Sequence, residues 1–370
     1  MSDATTHVQG PKRWLTWGLS VLPLAIMLVS SSTFASGSRV SSHLSTFRKP
    51  RYTIGFSNPE GTQPVLDNFQ AALTSAAGRE GIKVTSLNAA LSVSNQVSDI
   101  EQFITEKVNA IVVFPLAPQT LVPALTQARK AGIVVLGYNA VTSKTATAAS
   151  IRPYNADLNQ GIIHQGAALA AAFVAKQIHD RGNVIGVDIS APVPSLHAFI
   201  GAEQADITRR HPKIHWLEQV YDATDDIAGA ETPVADALTK YRNKVQAVMA
   251  YFDGAGIGAA DALKAAGVKA VVVGQQGNID GINAIKSGEL DATLNLMPYD
   301  QALIALAMVR DLLVHKSVPL VVHPSVVLVT KSNVKSYVPW SKGLSEVANG
   351  TLLPPASITA NGTTVRSRRS

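Results

Sequence analysis

Short apolar runs alternate with longer amphipathic stretches along most of the chain. The short runs are rich in β-branched residues and mostly continuous, which is typical of strands buried on both faces of a parallel sheet. They read YTIGF, IKVTSL, NAIVVF, GIVVLGY, NVIGVD, HWLEQVY, QAVMAY, AVVVG and DATLNL. The stretches between them have helical periodicity, for example VLDNFQAALTSAAGRE, NQVSDIEQFITEK, LVPALTQARKA and GIIHQGAALAAAFVAKQI. This alternation predicts right-handed βαβ crossovers and parallel sheets covered by helices.

A glycine signal recurs between a helical stretch and the next strand. Gly81, Gly132 and Gly267 each occupy this position, where a left-handed helix C-cap is expected. The first two lie in the N-terminal part of the chain and the third in the C-terminal part, so the pattern repeats. A chain of 370 residues with 46% hydrophobic content also exceeds what one core usually holds. Together these features predict two similar α/β lobes with a cleft between them.

Charge, cysteine content and motifs exclude several functional classes. The net charge is +6, but the basic residues are scattered apart from Lys12, Arg13 and the terminal RSRRS, so a nucleic-acid-binding face is not expected. The absence of cysteine excludes disulfides, zinc–thiolate sites, cysteine nucleophiles and a lipid-anchoring N-terminal cysteine. His211 and His215 are four residues apart, but Pro212 interrupts a helix there, so they do not predict a metal pair. No GxSxG elbow is present and no carboxylate pair stands out.

The segment GAGIGAA follows YFD and resembles a glycine-rich dinucleotide-binding loop. A dinucleotide site would also need an acidic residue after the next strand to bind a ribose hydroxyl. That strand instead ends in GQQG. Nucleotide binding is therefore not expected, and the sequence predicts no cofactor.

The first 50 residues predict export. PKRW precedes the apolar run LTWGLSVLPLAIMLV, and SSTFAS then supplies small residues for cleavage, which predicts a signal peptide over residues 1–35. The serine-rich basic segment 36–50 predicts a flexible tether. The alternative is an uncleaved membrane anchor, but that would need roughly 20 apolar residues, and Ser20 and Pro23 interrupt a shorter run here. At the other end, the Ser, Thr and Pro content of residues 346–370 predicts a disordered tail.

The loop SNPEGTQ follows the first predicted strand and leads into a helix. Pro64 is predicted as the first helical residue, where its missing N–H costs nothing. Ligands of open parallel sheets bind beyond the carboxyl ends of the strands, which is where this loop lies. Its free N–H groups and short polar side chains suit a small neutral or anionic ligand.

Three segments carry a family resemblance. The spacing from Ile54 to Pro64 fits a strand, a polar loop and a helix start; VQAVMAYFDGAGIGAADALKAAG fits a strand–loop–helix unit; and VVVGQQGNIDGINAIKSGELDATLNLMP fits a strand, turn, helix and final strand. From about Tyr52 to about Val329 the chain resembles the periplasmic sugar-binding proteins of ABC importers, of the ribose-binding type (type I periplasmic binding fold). The resemblance implies an α/β fold with two similar doubly wound parallel-sheet lobes joined by a three-crossover hinge.

The resemblance also implies boundaries for the two lobes. The N-terminal lobe is expected to contain residues 51–153 and 297–325, and the C-terminal lobe residues 154–296 and 326–345. The hinges are then expected near 152–154, 296–298 and 324–326, where a few residues can absorb a rotation of the lobes.

The resemblance places the ligand site on residues that often differ from those of the family. The family's Asn-Pro-aromatic-aromatic helix start reads Gln63, Pro64, Val65, Leu66, and its Asn-Asp pair reads Phe252, Asp253. The expected ligand contacts are Gln63, Val65, Leu66, Tyr138, Asn139, Tyr154, Phe252, Asp253, Gln276 and Leu296. Each has an alternative interpretation, since Asn139 and Gln276 could be turn residues, Asp253 a helix cap, and Phe252 or Tyr154 interlobe packing.

These substitutions favour a small neutral solute that is sugar-like or a polyol. Amides, one carboxylate and displaced aromatic residues replace the family's Asp-Arg pair and stacking aromatic residue. An anionic solute is disfavoured, because Arg152 is the one guanidinium expected near the cleft.

The predicted function is capture of this solute outside the cytoplasm and its delivery to the membrane permease of an ABC importer. The protein is expected to act as a monomer, without enzymatic activity, cofactor or metal. The alternative is a sensory receptor of the same fold that signals to a membrane kinase or chemoreceptor. A sugar-responsive repressor would instead carry a helix-turn-helix in the first sixty residues, where this chain has its predicted signal and tether.

Overall fold

Two sheets of six strands each, flanked by helices, form the two lobes of the protein. The computed structural model describes residues 51–143, 145–358 and 367–370. The predicted signal peptide (1–35) and tether (36–50) therefore lie outside the described residues. Within the described ranges, no helix combines the length and the apolar character that a membrane span requires.

The first lobe is built on a sheet in which all neighbouring strands are parallel. Its spatial order is β11-β5-β4-β3-β1-β2, with elements numbered along the chain. The strands are β1 (Tyr52–Asn58), β2 (Ile82–Asn88), β3 (Ala110–Val113), β4 (Val134–Tyr138), β5 (Ala156–Leu158) and β11 (Val321–Val322). The helices packed on this sheet are α1 (Pro64–Arg79), α2 (Val93–Thr105), α3 (Pro118–Lys130) and α9 (Pro298–Leu313).

The second lobe repeats this topology with one antiparallel edge strand. The order is β12-β10-β9-β8-β6-β7, and β12 runs antiparallel to β10. The strands are β6 (Gly182–Ile189), β7 (Ile214–Asp222), β8 (Ala247–Ala250), β9 (Val271–Gln276), β10 (Ala292–Asn295) and β12 (Val327–Thr330). The helices are a π-helical turn (Ile162–Gly166), α4 (Ala167–Gln177), α5 (Pro194–Arg210), α6 (Ile227–Lys240), α7 (Asp253–Ala265), α8 (Ile279–Ser287) and a 3₁₀ turn (Val334–Ser336).

The predicted fold class, two similar α/β lobes with parallel sheets, is confirmed. All nine strands predicted from apolar runs are present, and α1 begins at Pro64 as the sequence predicts. Gly81, Gly132 and Gly267 follow helices with φ values of 71°, 82° and 66°, in the left-handed region that glycine adopts most easily.

Three chain crossings connect the strands of the two sheets, and the first differs from its predicted position. β5 pairs with β4 in the first sheet, so the chain leaves the first lobe between Leu158 and Ile162 and not at the expected boundary of 153/154. The hinge predicted near 152–154 is therefore wrong, because those residues precede a strand of the first sheet. The other crossings lie between β10 and α9 and between β11 and β12, near the predicted 296–298 and 324–326.

The C-terminal segment returns to the first lobe. Helix α10 (Trp340–Asn349) packs mainly on α1 and α9 of the first lobe, whereas residues 326–345 are expected in the second lobe. Strand β13 (Leu352–Leu353) then pairs antiparallel with β14 (Arg368–Arg369). Ile358 is buried and its N–H donates to the Asp311 carboxylate at 3.1 Å. In its described parts, the tail predicted to be disordered over 346–370 is docked.

Candidate functional site

A cavity lies between the two lobes, at the carboxyl ends of the strands of both sheets, and its empty volume, including space open to solvent, is about 510 Å³. The first-lobe sequence lines it with Pro59, Glu60, Gln63, Val65, Leu66, Leu91, Phe114 and Gln160. The second-lobe sequence lines it with Ile189, Val193, Leu196, Asp225, Tyr251, Gln275, Gln276 and Leu296.

Gln63 connects the two lobes directly across this cavity. Its Nε2 donates to Oδ2 of Asp225 at 2.6 Å and to the Asp225 backbone carbonyl at 3.3 Å. Its Oε1 accepts from Nε2 of Gln276 at 3.3 Å. Gln63 is also the N-cap residue of α1, so the loop SNPEGTQ holds this amide at the edge of the first lobe. The three side chains form a cross-cleft bridge, and the structure is therefore a closed form of the two lobes.

Asp225 lies in the turn between β7 and α6, and neutral donors hold its carboxylate. The single proton of the Tyr251 hydroxyl is shared between two carboxylate oxygens, Oδ1 of Asp225 at 2.6 Å and Oδ2 of Asp222 at 3.0 Å. Burial raises the pKa of Asp225 to about 6; the hydrogen bonds from Tyr251 and Gln63 oppose this rise, and the charges of Asp222 and Glu60 add to it. The carboxylate is thus hydrogen-bonded but not neutralised.

Five of the ten expected contact residues line the cavity. They are Gln63, Val65, Leu66, Gln276 and Leu296, which belong to the first loop and helix, the end of β9 and the end of β10. The structure brings these residues together from both lobes. The other five residues lie elsewhere.

Tyr138 and Asn139 lie behind the cavity and position Gln160. The Tyr138 hydroxyl donates to Gln301 Oε1 at 2.6 Å and accepts from Gln160 Nε2 at 2.8 Å. Asn139 Nδ2 donates to Gln160 Oε1 at 2.5 Å, and the Gln160 N–H donates back to Asn139 Oδ1 at 2.7 Å. The Tyr138 ring also stacks on Phe69, with centroids 4.5 Å apart. Neither residue lines the cavity, because their polar atoms hold Gln160, which does.

Tyr154 and Arg152 lie away from the cleft. Tyr154 packs in the first-lobe core with residues of α3 and β4, such as Leu125 and Val135. Arg152 lines a separate outer cavity together with Arg129. Tyr154 is therefore not a wall of the cleft, and Arg152 does not supply the guanidinium that was considered for it.

Phe252 and Asp253 are displaced from the cavity by their neighbour Tyr251. Phe252 is buried and packs against the Tyr251 ring, with centroids 4.7 Å apart. Asp253 is 0% exposed, and its carboxylate accepts from the N–H groups of Gly277 and Asn278 at 2.8 and 3.1 Å and from Thr293 Oγ1 at 2.5 Å. Asp253 therefore holds the turn between β9 and α8, so its predicted role as the ligand-binding carboxylate is wrong.

Sequence reasoning missed the carboxylate and the hydroxyl that do face the solute space, Asp225 and Tyr251. Both follow the carboxyl end of a parallel strand, β7 and β8 respectively, and this position was the available signal. The same rule applies to Leu91, Phe114, Gln160 and Ile189, which lie at or just after the ends of β2, β3, β5 and β6.

The cavity combines an apolar wall with a small set of amides, two carboxylates and one phenol. In the described part of the chain, none of its lining residues is Lys, Arg or His. The described residues also contain no group of three or more His, Cys, Asp or Glu side chains that could hold a metal ion. The arrangement can enclose a small hydroxylated molecule and offer it hydrogen bonds from both lobes.

Comparisons with known proteins agree with this geometry. The family model described as "Periplasmic binding protein domain" matches residues 54–317. The ribose import binding protein of Bacillus subtilis is 25% identical over 251 residues, covering 68% of this chain and 78% of that protein. The xylitol-binding protein of Mycolicibacterium smegmatis is 29% identical over 253 residues, covering 65% of this chain and 67% of that protein.

Solved structures share the fold. A periplasmic solute-binding protein of an ABC transporter from Actinobacillus succinogenes, solved with bound D-allose, superposes with a TM-score of 0.70 at 23% identity. The match covers 78% of this chain and all of that protein. The family match spans both lobes and the cleft between them, and the chain therefore belongs to the periplasmic binding protein family.

Proposed function

We propose that this protein captures a small sugar-like or polyol solute in the cleft between its lobes and delivers it to the membrane permease of an ABC importer. The observation that carries the proposal is the cavity closed by the Gln63 bridge, because groups from both lobes converge on it at the carboxyl ends of the strands. A solute bound there stabilises the closed form, because it contacts both lobes at once. The names of the related proteins, which concern ribose and xylitol, support this solute class.

The lining residues support a compact solute without negative charge. Amide groups of Gln63, Gln275 and Gln276 offer hydrogen bonds, whereas Leu66 and Leu296 offer apolar contact. An anionic solute would lie against the carboxylates of Glu60 and Asp225 without a cation to offset them. We propose Gln63, Val65, Leu66, Asp225, Tyr251, Gln276 and Leu296 as the contact residues.

The protein is proposed to act outside the cytoplasmic membrane as a monomer that breaks no bond and binds no nucleic acid. Export by a signal peptide over residues 1–35 is supported by the apolar run and the small residues after it. The absence of cysteine argues against a lipid anchor on an N-terminal cysteine. Family membership supports the extracytoplasmic location and the permease as partner.

A thermal-shift screen of the purified mature protein against pentoses, hexoses, alditols and inositols tests the proposal. A solute at one hundred times its dissociation constant should add about 2.7 kcal/mol to the free energy of unfolding. Gln276→Ala should reduce this shift, and Gln102→Ala, on an exposed position of α2, should not. Failure of every sugar and polyol to stabilise the protein would contradict the proposed solute class. A deletion strain that still imports a solute bound by the protein would favour the sensory role.

A further inference from the structure

The cavity carries negative charge without a compensating cation. Glu60 lines it from the first lobe and Asp225 from the second. Neither residue takes part in any of the ion pairs formed among the described residues. Closure of the lobes brings these two carboxylates toward each other, with Asp222 close behind Asp225.

Several hydrogen-bond donors around the cavity are used within the protein. The Tyr251 hydroxyl donates to Asp225, and the Gln63 amide nitrogen donates to the carboxylate and the backbone carbonyl of the same residue. The amide nitrogen of Gln276 donates to Gln63, and that of Gln160 donates to the Tyr138 hydroxyl. The Tyr251 hydroxyl and both N–H groups of Gln63 are therefore occupied, whereas Gln276 and Gln160 each have a second N–H.

Acceptors, by contrast, remain available to a solute. Among the described residues, Oε1 of Gln276 is buried without a hydrogen-bond partner. The backbone of Gln276 also has φ at 112°, a strained value for a residue other than glycine, and such strain is concentrated at ligand sites. Glu60 accepts two hydrogen bonds, from the N–H and the hydroxyl of Thr62, and both are accepted by Oε1. The cavity thus offers a solute two carboxylates and one unpaired amide oxygen as acceptors.

We propose that the solute carries a protonated amino group, so that the preferred ligand is an amino sugar or an amino alditol. This inference rests on the proposed function and specifies the solute of the same cavity. An ammonium group has a positive charge and three N–H donors, which complement the two unpaired carboxylates and the free amide oxygen of Gln276. A hydroxyl group has a donor but no charge to offset the carboxylates. The ammonium group is placed between Asp225 and the free Oε1 of Gln276, with Glu60 adding to the attraction.

The electrostatics of closure support a cationic solute. Burial raises the pKa of Asp225 to about 6, and the charges of Asp222 and Glu60 oppose ionisation further, while the bonds from Tyr251 and Gln63 favour it. Near neutral pH, closure around an uncharged solute therefore buries a carboxylate whose charge is incompletely offset. A positive charge beside Asp225 removes this cost and lowers the pKa of the carboxyl group.

This difference gives the two kinds of solute opposite pH dependence. The ligand-free closed protein has the Asp225 pKa near 6. An uncharged solute shields the carboxyl group from water and raises this pKa further, so its affinity should fall as pH rises above about 6. An ammonium-bearing solute lowers the pKa, so its affinity should rise as pH increases toward about 6. Whether affinity rises or falls with pH therefore shows how the solute interacts with Asp225, whatever its overall affinity.

Titration calorimetry with matched pairs tests the proposal. The pairs are D-galactose with D-galactosamine, D-glucose with D-glucosamine, and xylitol with 1-amino-1-deoxyxylitol, each at pH 5 and pH 7. At least one amino compound should bind about 10- to 100-fold more tightly than its parent at pH 7, the range expected for hydrogen bonds to a charged group. Parents that bind as tightly as, or more tightly than, their amino counterparts overturn the amino-group inference and leave the proposed function intact. If no amino compound binds, the inference is overturned as well.

Charge-removing variants assign the preference to the carboxylates. Asp225→Asn should abolish both the preference for the amino compound and the pH-dependent rise in its affinity. The affinity for a parent compound that binds should fall much less. Glu60→Gln should reduce the preference for the amino compound by a smaller factor. This variant provides an independent measurement if Asp225→Asn folds poorly. Asp261→Asn removes the same charge from an exposed position of α7, and it should leave the preference unchanged. Retention of the full preference in both Asp225→Asn and Glu60→Gln overturns the proposal.

Discussion

At the scale of single residues, Asp253 is a structural carboxylate and not a ligand contact. Its two oxygens accept three hydrogen bonds inside the second lobe, and these hold the turn that carries Gln276 into the cavity. Asp253→Ala should therefore lower the free energy of unfolding of the ligand-free protein by at least about 1.5–3 kcal/mol, because buried donors lose a charged acceptor. Urea denaturation measures this difference.

The matched control for this substitution is Asp261→Ala, on the exposed face of the same helix. It should change stability by no more than about 0.5 kcal/mol. Unchanged stability in Asp253→Ala, combined with weaker solute binding, would contradict the structural role and return this carboxylate to the ligand site.

The sequence located the loops of the cleft but not the side chains that face the solute. After β8, three consecutive residues could have entered the cavity, and Tyr251 does so while Phe252 and Asp253 are buried. A difference of one position reverses which side chain faces inward, and that position depends on where the strand ends and the helix begins. Asp225 lies in a polar turn with positive φ, at 57°, which has no periodic pattern to reveal it.

At the scale of elements, the long periodic segments were predictable and the short ones were not. The nine predicted strands are four to nine residues long, whereas four of the five missed strands, β5, β11, β13 and β14, have only two or three, and the fifth, β12, has four. Such short runs do not show a period. Because β5 was not predicted, the first crossing was predicted too early in the chain: β5 lies between the expected boundary and the observed one.

The docked C-terminal segment contacts both lobes and thereby connects elements that are distant in sequence. Trp340 Nε1 donates to Asn295 Oδ1 at the second crossing, at 3.1 Å, and the Tyr337 hydroxyl donates to the Gly277 carbonyl at 2.9 Å. Arg310 of α9 donates to the carbonyls of Pro355 and Ala356. This segment therefore contacts the second lobe and the hinge before it covers the first lobe.

Ile358 tests whether this segment contributes to stability. The side chain is 3% exposed, so Ile358→Ala should lower the free energy of unfolding by about 2 kcal/mol, near the low end for loss of a buried isoleucine. The adjacent Ser357 is exposed, and Ser357→Ala should have little effect. Chemical denaturation of the two variants measures the contrast. Equal stabilities would show that the segment behaves as the disordered tail predicted from its composition.

At the scale of the whole molecule, two lobes connected by a hinge can exchange between open and closed forms, and the cross-cleft bridge favours the closed one. The bridge consists of a bond from Gln63 to the Asp225 carboxylate at 2.6 Å and a bond from Gln276 to Gln63 at 3.3 Å. All three side chains line the cavity, so the groups that bind the solute also close the protein. Solute binding and lobe closure should therefore be coupled.

Removing the bridge should open the ligand-free protein. A hydrogen bond to a charged group contributes about 1.5–3 kcal/mol, so Gln63→Ala should lower the ratio of closed to open molecules by about 10- to 100-fold. Small-angle X-ray scattering should then give a larger radius of gyration for ligand-free Gln63→Ala than for the native protein. Gln102→Ala, which removes an exposed amide from α2, should match the native radius. A saturating solute identified by the thermal-shift screen should reduce the radius of Gln63→Ala toward the native value, because the other lining groups still draw the lobes together. An unchanged radius in ligand-free Gln63→Ala would show that this bridge does not hold the lobes closed.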